Sequence, residues 1–169
     1  HRVGRRRPPM RLPPAIVIGL DSLPGLQTAR LLARHRIPVI GIATRADHYC
    51  CRTNTCTQLH IADTQGEAVV DLLERLGPAF AQRPVLYPCI DRTVLLLSRH
   101  RDRLAAQYHL ALPDHDVVEQ LMDKVAFDAF ARAHGFRVPD TWVIRSPDDA
   151  ARVLEEVSFP CILKPTKCL

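Results

Sequence analysis

The chain has 169 residues, 47% of them apolar and 24% charged, enough for one ordinary domain or for a small domain and the start of a second. No apolar run approaches the roughly 18 to 20 residues of a membrane span, which argues against a membrane-spanning helix. The formal net charge of +5 is concentrated at the N-terminus, in Arg2, Arg5, Arg6, Arg7 and Arg11, so the neutral remainder argues against a phosphate-tracking nucleic-acid surface.

Residues 1–13, rich in arginine and proline and without an apolar period, are expected to form a disordered basic tail. They lack the apolar core of a secretory leader, so a cytoplasmic location is expected, with the six cysteines mostly as thiols. Ala15-Ile16-Val17-Ile18-Gly19 is a β-branched run closed by glycine, the pattern of a buried strand. Residues 24–35 carry Leu26, Ala29, Leu31, Leu32 and Ala33 at near-helical spacing, and Val39-Ile40-Gly41-Ile42-Ala43 reads as a second buried strand. Strand, helix and strand within about 30 residues form the βαβ unit, whose crossover sets the two strands parallel.

Cys50, Cys51 and Cys56 fall between His48 and His60. Thiolate and imidazole are good zinc ligands, but there is no CxxC spacing and adjacent cysteines rarely reach one tetrahedral ion. Loop or part-buried thiols are expected there, and no metal site is assigned. The α/β alternation continues with a strand at 58–61, a helix over 67–76 bearing Val69, Val70, Leu72, Leu73 and Leu76, a strand at 84–87 and a helix from 92 to 108. The region 14–112 is therefore expected to be a Rossmann-like, doubly wound α/β domain.

Near Pro113 the pattern changes. Residues 114–121 read as a short helix. Asp123 then caps another in which Phe127, Phe130, Ala131 and His134 share one face, and Gly135 ends it. A strand is expected at 141–144. Ser146 as N-cap, Pro147 at the first helical position, and Asp148 and Asp149 in the first turn mark a helix to about 157. Residues 159–165 read as a final strand between prolines.

Lys164 follows three apolar residues, and a buried ammonium needs either an escape to solvent or an anion such as carboxylate or phosphate. Lys124 lies in the first turn of a helix, where the macrodipole disfavours a cation unless a phosphate, held also by free N–H groups, sits nearby. Asp91 follows the fourth expected strand, at the carboxyl edge where α/β sheets place ligands; it either caps the next helix or contacts substrate. Asp21 and Ser22, in the first βα turn, carry the same two readings.

Around these lysines the sequence resembles the ATP-grasp superfamily. Leu121-Met122-Asp123-Lys124 with Phe127, and the stretch from Ala133 through His134-Gly135-Phe136-Arg137-Val138-Pro139-Asp140-Thr141, resemble that family's "DK, helix, GxxVPxT" passage. Ser146-Pro147-Asp148-Asp149 through Phe159-Pro160-Cys161-Ile162-Leu163-Lys164-Pro165 resembles its "helix, FPxxLKP" passage. The turn Gly19-Leu20-Asp21-Ser22-Leu23-Pro24-Gly25-Leu26, with Pro84-Val85-Leu86-Tyr87-Pro88-Cys89-Ile90-Asp91, Ser98-Arg99-His100-Arg101-Asp102 and Leu112-Pro113, is similar to the pre-ATP-grasp domain of the predicted ATP-dependent carboligase, or carboxylate-amine ligase, branch.

The resemblance implies a pre-ATP-grasp domain over 14–112, followed at 113–169 by linker helices and the beginning of an α+β ATP-grasp domain. It implies contacts from Lys124 and Lys164 to ATP phosphates, a wall of the substrate site from Asp21, Ser22 and Asp91, and activation of a small-molecule carboxylate as an acyl phosphate for attack by an amine or a similar nucleophile. The family's glycine-rich loop, acidic hinge and Mg2+ ligands follow the second lysine and are absent here, so the segment is expected to be inactive alone. No nucleic-acid or membrane partner is expected, and a homo-oligomer is compatible with the resemblance.

Two other readings stand beside it. One is a non-catalytic α/β binding or assembly protein. The other is an NADP-dependent oxidoreductase with Arg45 at the ribose phosphate, which lacks a GxGxxG turn and sets an aspartate where the pyrophosphate would lie.

Overall fold

The structure, a computed structural model, describes residues 12–166. Residues 1–11 of the expected basic tail lie outside the described residues, as do 167–169. Two compact units are present, one up to Pro113 and the other from Asp114.

In the first unit, β1 (Ala15–Ile18), β2 (Val39–Ala43), β3 (Cys56–Ile61), β4 (Val85–Pro88) and β5 (His109–Leu110) form one five-stranded sheet in the order β3-β2-β1-β4-β5. Every pairing is parallel. All residues of β1 and β2 are buried, because their unbroken β-branched and small apolar runs can be covered on both faces.

The two faces build separate cores. Helix α1 (Leu23–Arg34) sets Ala29 and Leu32 against Ala15, Val17, Val39 and Ala43. The opposite face carries Ile16, Ile18, Ile40, Ile42 and Leu86. Against it pack Val69, Val70 and Leu73 of α2 (Glu67–Leu76), Leu97 of α3 (Asp91–Arg99) and Leu104 of α4 (Arg101–Leu104). Helices thus cover both faces, as a doubly wound sheet requires.

Two details differ from the sequence reading. The helix expected over 92–108 is two helices broken at His100, whose ring bonds Glu67 at 2.7 Å while the following Arg101 donates to the carbonyl of Leu112 at 2.6 Å. These tertiary bonds turn the chain without a glycine or proline. It then forms β5, a two-residue strand too short to have a periodic signature.

The second unit contains α5 (His115–Met122), α6 (Lys124–Ala133) and α7 (Pro147–Glu156). Asp123 caps α6 through the N–H groups of Val125 and Ala126, and Ser146 caps α7 through Asp149 N–H at 3.1 Å. Gly135 takes a positive φ of 70° after α6. The strands expected at 141–144 and 159–165 are not formed: among the described residues neither segment pairs with a neighbour, and a strand exists only through its ladder.

Candidate functional site

The strand order reverses between β1 and β4, which makes that edge the topological switch point, where open α/β sheets bind ligands beyond the strand carboxyl ends. The turn after β1 carries Asp21 and Ser22, and the segment after β4 carries Asp91, so the structure brings these three to one edge of the sheet.

The β1–α1 turn is tight for backbone reasons. Gly19 has a φ of 89°, and a Cβ on Gly25 would lie 2.1 Å from the Gly19 carbonyl oxygen. Ser22 is the N-cap of α1: its hydroxyl donates to the Gly19 carbonyl at 2.6 Å and accepts from Gly25 N–H at 3.1 Å. Leu26 N–H is bonded to the Ser22 carbonyl, and Pro24 has no N–H. Little donor capacity remains there for an anion, so the turn is a poor pyrophosphate cradle. Arg45, the residue the dinucleotide reading needs, forms an ion pair with Asp47 at 2.8 Å. Both facts weigh against that reading.

Asp21 turns toward β2. Its Oδ2 accepts from the N–H groups of Thr44 at 2.9 Å and Arg45 at 3.1 Å, while its Oδ1 is shielded from solvent and has no partner among the described residues. The expected cap at Asp91 is corrected: Ile90 occupies the N-cap position of α3, with no side-chain cap bond, and Asp91 is the first helical residue, exposed at the positive end of the helix.

Three threonines that the sequence reading did not single out complete this edge. Thr44 Oγ1 lies 3.0 Å from Thr64 Oγ1, and Thr93 Oγ1 donates to the Thr64 carbonyl at 2.8 Å. Thr64 and Thr93 are fully buried. The segments after β1, β2, β3 and β4 are thereby laced together from Asp21 through Thr44 and Thr64 to Thr93. The available signal was a short polar residue soon after each strand.

Thiols also line this region. Burial pushes the Cys51 thiol up, with the charge of Asp21 adding to the effect. Burial raises Cys89 too, against a hydrogen bond to Thr28. Both stay protonated at neutral pH and are poor nucleophiles. Among the described residues no group of three or more His, Cys, Asp or Glu side chains is arranged to hold a metal ion.

In the second unit, Lys124 is half-buried at the start of α6. The free N–H groups expected around it are occupied, because Asp123 Oδ1 accepts from Val125 at 2.9 Å and Ala126 at 3.1 Å and the Lys124 N–H donates to the Thr166 carbonyl at 3.3 Å. A phosphate here would meet the lysine side chain rather than an open helix end. Lys164 is exposed, and Ile162 and Leu163 before it are 80% and 85% exposed, so the expectation of a lysine at the end of a buried strand is also corrected. Its head reaches solvent directly.

The sheet order and the helices on both faces define a doubly wound α/β fold. Among solved structures, an L-amino acid ligase from Bacillus licheniformis matches 94% of this chain and 38% of its own length, with a TM-score of 0.63 and 16% identity. An N5-carboxyaminoimidazole ribonucleotide synthetase from Thermus thermophilus matches 88% of this chain and 37% of its own, at a TM-score of 0.56 and 15% identity. An N5-carboxyaminoimidazole synthetase from Staphylococcus aureus matches 86% and 37%, at 0.54 and 15%. The chain thus spans 37% to 38% of the length of these enzymes, and at these identities the likeness is one of fold. No family model and no curated protein matches the sequence. No helix among the described residues is long and apolar enough to cross a membrane.

Proposed function

We propose that this chain is the N-terminal part of an ATP-dependent ligase that joins a carboxylate to an amine. The observation that carries the reading is the bond from Lys124 N–H to the Thr166 carbonyl, 3.3 Å long, which returns the passage holding Lys164 to the start of the helix holding Lys124. That bond sets the backbone two residues beyond Lys164 against the start of the Lys124 helix, and both ammonium groups can offset phosphate charge. The fold shared with the L-amino acid ligase supports the same reading.

In the reaction, a substrate carboxylate oxygen attacks the γ-phosphorus of ATP and ADP leaves. The amine then attacks the acyl carbonyl and releases phosphate, its proton going to solvent or to the phosphate. In the second unit Lys124 and Lys164 hold the phosphates; in the first, Asp91 at the switch-point edge offers a carboxylate to the polar end of the organic substrate. The described residues do not fit the Mg2+ that the resemblance implies: no group of three or more His, Cys, Asp or Glu side chains among them is arranged to hold a metal ion.

The test is hydroxylamine trapping with the full-length polypeptide, ATP and a panel of amino acids and simple carboxylates. Hydroxamate and ADP should form in equal amounts for some member of the panel. Lys124→Ala and Lys164→Ala should each lower kcat/KM by about 100-fold, the scale for removing one transition-state charge contact. No ATP-dependent hydroxamate from any member, or full activity in both lysine variants, would sink the reading.

A further inference from the structure

We propose that Thr93 is a positioning residue for the substrate wall at the switch point, acting through Asp91; this rests on the ligase reading above. Helix α3 starts without a side-chain cap, because the residue at its N-cap is Ile90. Its first turn therefore lacks the local device that fixes α1, α6 and α7, each begun by a serine or aspartate whose side chain accepts a backbone N–H. Its first turn is tied instead by the buried Thr93 hydroxyl, which donates at 2.8 Å to the carbonyl of Thr64 in the segment after β3.

Thr64 is tied in turn to Thr44 by the hydroxyl contact of 3.0 Å, and the Thr44 N–H donates to the Asp21 carboxylate at 2.9 Å. The place where α3 begins is thus set by the same chain of bonds that sets the β1–α1 and β2 ends. Thr93 lies two residues beyond Asp91, within the same helical turn, so a shift of that turn moves the exposed Asp91 carboxylate with it. Asp91 suits the ammonium or hydroxyl end of a substrate. Thr93 is fully buried and cannot touch a ligand itself, which makes its effect indirect.

The proposal is tested in the full-length polypeptide with ATP and the best substrate from the hydroxylamine panel. Thr93→Val keeps the shape and removes the hydroxyl. It should raise the KM of the organic substrate by roughly ten- to a hundredfold, the scale of a misplaced substrate-positioning group, and leave the KM of ATP unchanged. Thr93→Ser should restore the wild-type value.

Because Thr93 acts through Asp91, adding Asp91→Asn to Thr93→Val should cost far less than it costs the wild type. An unchanged substrate KM in Thr93→Val, failure of serine to rescue, or full multiplication of the two effects would overturn the role of Thr93 alone. A wild-type protein that yields no hydroxamate with any panel member would overturn the ligase reading, and this inference with it.

Discussion

The two units use the same kinds of amphipathic helix to very different ends. In the first, the helices close over a parallel sheet, and residues such as Ile16, Ile42, Leu73 and Leu97 are wholly buried. In the second, Val118 and Ala131 are the buried apolar residues among those described, and α7 has none. Capping and propensity are enough to start a helix, but a core forms only where an opposing layer supplies the other half of the contact.

Leucine truncation is the sharpest way to break this comparison. Leu73→Ala empties a fully buried position against the sheet and should cost about 2 to 5 kcal/mol in denaturant unfolding. Leu154→Ala, on α7 with Leu154 68% exposed, should change stability by no more than about 0.5 kcal/mol. Trp142, the single tryptophan, reports the second unit by fluorescence, while far-UV circular dichroism reports both. A large loss from Leu154→Ala would show that α7 has a buried partner in solution and erase the contrast.

Tyr108 sharpens it from the side of the first unit. Its ring is buried against the α2 face of the sheet, and its hydroxyl donates to the Leu73 carbonyl at 2.7 Å. Tyr108→Phe should therefore cost about 0.5 to 1.5 kcal/mol at neutral pH. Burial pushes the phenol from its ordinary 10.0 up to about 12. A group whose folded pKa is raised contributes stability fully present below the unfolded value and lost as pH rises through the folded one. The wild type should weaken between about pH 10 and 12, and Tyr108→Phe should flatten that limb.

The acidic limb has the opposite sign. Glu74 is held low by its bond to Arg103 in the first unit, and Asp128 by Arg132 in the second. Stability from each is present above the ordinary carboxylate range and lost as pH falls through the depressed value. Equal alkaline limbs in wild type and Tyr108→Phe would assign that transition to some other group.

The sequence was most legible where burial is most complete. The strands β1, β2 and β4 are apolar, partly β-branched runs bounded by glycine or proline, and the helices α1, α2 and α7 have caps or periodic faces that can be read without a partner. The segments 141–144 and 159–165 have strand-like composition too, but whether an apolar run becomes a strand depends on a neighbour, and composition does not contain the neighbour. The same limit hid the threonine lacing, since Thr44 and Thr64 are 20 residues apart and Thr64 and Thr93 are 29 apart. Of the two roles the sequence leaves open for Asp91, the structure removes the cap, since Ile90 holds the N-cap position and a helix can begin without a side-chain cap of its own. The tie between Lys124 N–H and the Thr166 carbonyl is likewise a contact that no local pattern announces.

The last contrast compares two serine caps of the same chemistry. Ser22 accepts from Gly25 N–H at the start of α1, and Ser146 accepts from Asp149 N–H at the start of α7, both at 3.1 Å. Replacement by alanine removes about 0.5 to 2 kcal/mol of helix stability in either place. In Ser22→Ala the loss should appear in the global unfolding of the first unit, because α1 is packed on the sheet and cannot fray without exposing Leu26 and Leu32. In Ser146→Ala it should appear as faster amide exchange confined to the first turns of α7, with global unfolding unchanged, because no buried side chain ties that helix to anything else. Equal shifts in global stability from the two variants would mean that α7 is as firmly coupled to a core as α1.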